Sequence, residues 1–91
     1  MLVTVICQTT HKARKAFVCG LAEHAGEVHW PRGMAFSELR SLVTYQRNKR
    51  RVVPGDTYVR QFNEYEGDTY VWKARKDIFE IFCKYGLLRE Y

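Results

Sequence analysis

Close cysteine pairs, metal-ligand spacings and long apolar runs are all missing from this chain. Its three cysteines, Cys7, Cys19 and Cys83, are far apart in 91 residues. An odd, scattered set does not build the disulfide framework of a small secreted domain. No CxxC, HxxxH or HExxH spacing joins them to His11, His24 or His29, so no metal site is expected. The apolar runs fall well short of a membrane span. Met1 to Cys7 is apolar but lacks a basic flank and a small-residue cleavage site, so it does not read as a signal peptide. A protein that is not secreted is the expectation, cytoplasmic, or nuclear in a eukaryote, with no membrane role. Also missing are a Gly-rich phosphate loop, a nucleophile elbow and a paired-carboxylate motif. No cofactor and no catalytic residue is therefore assigned. No linker or low-complexity stretch interrupts the chain. Residues 1–91 are read as one domain, since two cores would not fit.

What the chain does have is apolar mass and positive charge. Hydrophobic residues make up 46% and aromatics 14%, enough for a core without disulfides or metal. The formal net charge is +5. Residues 1–51 hold nine Lys/Arg against three Asp/Glu, whereas residues 52–91 hold six against seven. All of the excess lies in the first part, which favours an acidic partner.

The pattern predicts the order β-α-(β)-α-β-β-α. Leu2–Gln8 is rich in β-branched residues and reads as a strand. Thr9 and Thr10 offer an N-cap for a helix over 11–25 that stops at Gly26, burying Phe17, Val18, Leu21, Ala22 and Ala25. Glu27–Trp30 is a candidate short strand. Ser37 would cap a second helix to about residue 48 or 50, with Leu39, Leu42 and Val43 buried. Pro54-Gly55 marks a turn. Gly55-Asp56-Thr57-Tyr58-Val59 then recurs as Gly67-Asp68-Thr69-Tyr70-Val71, predicting a hairpin of strands 57–62 and 69–74 around the five residues Asn63–Gly67. Asp77 and Glu80 fit a capping box, and Gly86-Leu87 a Schellman end, for a last helix carrying Ile78, Ile81, Phe82 and Tyr85 inward. The fold expected is α+β: a small antiparallel or mixed sheet of three to four strands with two to three helices packed on it.

Function is read from the charge. At 100° per residue, Arg40, Arg47 and Arg51 fall within about 20° of one line. Lys49 and Arg50 widen the patch, and guanidinium forks bond phosphate in a bidentate way. Lys12, Arg14 and Lys15 would extend the path from the first helix. Tyr58 with Arg60 and Phe62, and Tyr70 with Trp72, could stack bases if they shared a face, although aromatics at strand spacing more often form core. Helix plus hairpin could also serve as a recognition helix with a wing. The expectation is a small basic nucleic-acid-binding protein, DNA or RNA, holding phosphates with little sequence specificity.

Two other functions draw on the same features. One is a protein-interaction module or small inhibitor, such as a viral accessory protein, that binds an acidic partner. The other is a small metal-independent ribonuclease using His11, His24 or His29, or Glu27, with Arg14 or Arg32. Cys7 and Cys83 lie in apolar stretches and are expected to be buried thiols.

Overall fold

A computed structural model describes residues 4–87. The elements run β1 (Thr4–Lys12), β2 (Phe17–Val18), α1 (Ala22–Ala25), α2 (Phe36–Arg47), β3 (Arg51–Val52), β4 (Thr57–Tyr65), β5 (Asp68–Arg75) and α3 (Lys76–Lys84). An antiparallel sheet is ordered β1-β4-β5, and β2 pairs with β3 in a second, two-stranded sheet. This is an α+β fold, close to the expected order.

The largest departure is the first helix. His11 and Lys12 belong to β1, paired with Tyr58 and Thr57, and only one helical turn remains, at α1. Local propensity is weak beside cross-strand pairing. Thr9 and Thr10, read as caps, are β-branched residues opposite Arg60 and Val59. The chain then bends at Ala13, whose N–H donates to the Asp56 carbonyl (2.8 Å) and whose carbonyl accepts from Gly55 N–H (3.0 Å). Phe17 and Val18 return as a strand against Val52 and Arg51. Glu27–Trp30 is not a strand. Leu2 and Val3 lie outside the described residues.

Gly20 is where a side chain is excluded. Its N–H donates to the Lys73 carbonyl (2.7 Å), and a Cβ there would stand 2.3 Å from Trp72 Nε1. Trp72 lies against this backbone and meets Phe79 edge to face. It thereby closes one side of the core, which centres on Cys19, Leu21, Tyr45, Val52, Ala74, Ile78 and Phe82. Burial pushes the Tyr45 phenol well up, helped by the Cys19 thiol beside it.

The two later helices follow local rules. Glu38 at the third position of α2 reaches back to the Ala35 N–H (2.8 Å), so the cap is Ala35 and Ser37 sits inside the first turn. Leu42 and Tyr45 face the core, while Leu39 and Val43, expected inside, are exposed. The α2 helix ends with Arg50 N–H on the Tyr45 carbonyl (2.8 Å), a Schellman bond. No glycine serves it: Lys49 and Arg50 both stand at φ 57°. At the end of α3 the expected Schellman bond is present, Leu87 N–H to the Phe82 carbonyl (2.8 Å), with Gly86 at φ 67°. That helix starts directly from β5. Arg75 closes the strand and takes the cap position, so the expected capping box of Asp77 and Glu80 does not form; Asp77, inside the first turn, instead holds Arg75 (2.9 Å), with Asp56 at 3.8 Å.

The hairpin sets which residues share a face. Tyr65 pairs with Asp68, leaving a two-residue turn. Glu66 (φ 51°) and Gly67 (φ 85°) both take positive φ, as the tightest hairpin turns demand. This register pairs Tyr58 with Arg75, Arg60 with Lys73 and Phe62 with Val71. Tyr70 and Trp72 pair instead with Asn63 and Gln61. The two aromatic rows therefore lie on opposite faces of the sheet. Tyr58, Arg60, Phe62, Val71 and Lys73 share one face. Val59, Gln61, Asn63, Tyr70, Trp72 and Ala74 share the other. On this second face the central strand carries a polar line: Gln61 donates to Gln8 (2.8 Å), and Asn63 to Gln61 (3.2 Å).

Candidate functional site

The end of β1 and the bend after it form a concavity of about 490 Å³. Its lining is His11, Lys12, Ala13, Arg14, Lys15, Phe17, Tyr58 and Lys73. Four of these are Lys or Arg and none is a carboxylate. The frame is fixed at both ends. Ala13 is buried and bonded to the Val53–Asp56 turn, and Phe17 is pinned in β2. Between them Arg14 and Lys15 stand out into solvent. Asp56, at the base of the bend, is not in the lining. Its carboxylate accepts from Val53 N–H (3.0 Å) and lies 3.8 Å from Arg75.

The floor is aromatic. Phe17 meets Tyr58 edge to face at 5.0 Å, and His11 lies tilted over Tyr58 at 5.6 Å. Lys73 Nζ sits 4.7 Å above the Phe17 ring, a cation–π contact that leaves its charge facing the groove. Arg60 stands directly across the strands from Lys73, on the same face. Like charges in that position repel, and an anion between them removes the cost.

Several residues singled out in the sequence converge here: Lys12, Arg14, Lys15, Tyr58 and, next to Lys73, Arg60. Lys12, Arg14 and Lys15 do so from a strand end and a bend, not from a helix. Lys73, Phe17 and His11 join them, and only the hairpin register could have placed Lys73. Trp72 does not join, because it packs over Gly20 on the other face.

The α2 patch is a separate feature. Arg40 and Arg47 are exposed, and neither pairs with a carboxylate among the described residues. Arg40 lies 6.0 Å from the Phe36 ring. Arg51 has left the helix for β3, opposite Val18. Lys49 is exposed in the turn between them. Arg50 is half-buried and serves the fold, donating to Gln46 (2.9 Å) and to the Ala22 carbonyl (3.4 Å).

Of the histidines, His11 alone lines the groove, beside Arg14, with Nε2 bonded to Thr9 (2.8 Å). His24 bonds the Leu87 carbonyl and packs on Phe82, while His29 and Glu27 are exposed. No group of three metal-ligating side chains occurs among the described residues, and no described helix is long and apolar enough to cross a membrane. Cys7 and Cys83, expected to be buried, are exposed, and only Cys19 is interior. Cys7 stands on an edge strand exposed along its whole length, and Cys83 on the outer side of α3. Partial desolvation and the Glu80 charge push the Cys83 thiol up.

Comparison with known protein families, curated proteins and solved structures found no match for this chain.

Proposed function

We propose that this protein binds single-stranded nucleic acid in the groove at the end of β1, through phosphate contacts and base stacking. One observation carries the reading: Lys12, Arg14, Lys15 and Lys73 surround an aromatic floor of Phe17, Tyr58 and His11, with no carboxylate in the lining. Cations track a phosphate backbone, and rings accept any base, so binding of this kind is tolerant of sequence. Arg60 supplies a further cation beside Lys73. A duplex, with its bases already stacked inside, uses the cations and not the rings.

The test is a fluorescence anisotropy titration with labelled 12-nucleotide single-stranded RNA and DNA and with duplexes of the same sequence. Single strands are expected to bind more tightly than duplexes. Tyr58→Ala and Phe17→Ala should weaken binding to single strands more than to duplexes. Equal affinity for both forms, or loss of neither on removing a ring, would overturn the stacking part. RNA left intact through the titration separates binding from cleavage at His11.

A further inference from the structure

The outward side of α2 is apolar as well as basic, and nothing in the groove explains it. Phe36 is 76% exposed, Val43 56% and Leu39 46%. At 100° per residue, Phe36, Arg40, Val43 and Arg47 all lie within about 60° of one line along the helix, and Leu39 flanks it. The one acidic residue of α2 is turned away. Glu38 bonds Lys84 (3.0 Å) and Tyr85 (2.7 Å) on α3. Three large apolar side chains exposed along one helix stripe, rimmed by arginines, are the pattern of a docking surface.

We propose that this stripe receives an acidic amphipathic helix from another protein. Charge selects the partner. A second copy packed on the same face in two-fold symmetry would bring Arg40 and Arg47 against the same arginines, while the one carboxylate of α2, Glu38, is already held by Lys84 and Tyr85. A nucleic acid would pair with the arginines and leave Phe36, Leu39 and Val43 against sugar and phosphate. A helix with apolar residues at i, i+3 and i+7 fills the stripe. Carboxylates seven residues apart on that helix reach both arginines, which stand about 10 Å apart along α2. The site is built from elements other than the groove, so the two bindings are separable.

The probe is a synthetic 18-residue helical peptide with leucines at that spacing and glutamates seven apart. Two controls accompany it: a scrambled peptide of the same composition and a version with lysine in place of glutamate. Binding is read by amide chemical-shift changes in the protein. The acidic amphipathic peptide is expected to bind at least ten times more tightly than either control, with shifts centred on α2. Phe36→Ser and Val43→Ser should each weaken it tenfold or more with folding unchanged, since both side chains are exposed. Lys12→Gln with Arg14→Gln and Lys15→Gln should leave it unchanged. Equal binding of the scrambled peptide would overturn the proposal. So would sedimentation showing a dimer that Phe36→Ser dissociates, which gives the face to a second copy. Loss of single-strand affinity in Phe36→Ser would give it to nucleic acid.

Discussion

Neutralising the bend at 12–15 should change how binding responds to salt, and by an amount the groove sets. Four Lys/Arg side chains line it, and Arg60 stands across from Lys73. Each phosphate neutralised on a single strand contributes about 0.7 to the slope of log affinity against log salt, so five give about −3.5. Raising salt from about 50 to about 200 mM then weakens binding roughly 130-fold. With Lys12, Arg14 and Lys15 changed together to Gln, only Lys73 and Arg60 remain. The slope falls to about −1.4, and the same salt step costs roughly 7-fold. Stability should hold within about 0.5 kcal/mol, because the three side chains are exposed and in no described ion pair. Anisotropy titrations at four salt concentrations measure both slopes, with thermal unfolding as the control. The Arg40→Gln, Arg47→Gln pair serves as the comparison and should keep the parent slope. A triple variant with the parent slope, or an α2 variant with the shallow one, would refute the assignment of the phosphates to this groove.

Three further outcomes follow from the fold. Gly20→Ala should destabilise the protein by about 1–3 kcal/mol, because the new Cβ drives Trp72 from its seat; a shifted tryptophan emission maximum in the folded state would accompany the lower Tm. Glu66→Asn should stabilise it by about 1 kcal/mol in denaturant unfolding, since Asn tolerates the positive φ that Glu66 is forced to take. The Glu38 carboxyl is held below its usual range by the Tyr85 hydroxyl first, then by the Ala35 N–H and Lys84. Its contribution to stability is therefore complete above the ordinary carboxyl pKa and is lost as pH falls through the lowered folded value. Glu38→Gln should flatten that acid-side loss, and a parallel pH–stability curve for the two proteins would contradict it.

What was legible in the sequence was the set of elements whose signals are local. Pro54-Gly55, the α3 cap at Gly86 and the two long β strands of the hairpin all announce themselves through turn chemistry or alternation. The first helix did not survive because β4 offers residues 9–12 a full set of backbone partners, and nothing local to Thr9–Lys12 reveals that. The site was half legible. Lys12, Arg14 and Lys15 stood out as charge, but their meeting with Lys73 depends on hairpin parity. A turn of two residues rather than five moves Tyr70 and Trp72 to the opposite face from Tyr58. The Tyr65-Glu66-Gly67-Asp68 segment hides that turn behind a glutamate where Asn or Asp would have signalled it. On α2, Leu39 and Val43 looked like core, yet Tyr45 took the inward position with Leu42 and rotated them to water.

The junction at Arg75 leaves no slack between hairpin and last helix. Lys73 on the groove rim is three residues from Lys76, where α3 begins, and five from Ile78, which is sealed in the interior. A strand that runs into a helix without a hinge ties the placement of one to the other, so a single unbroken stretch of backbone positions both the groove rim at Lys73 and the interior at Ile78.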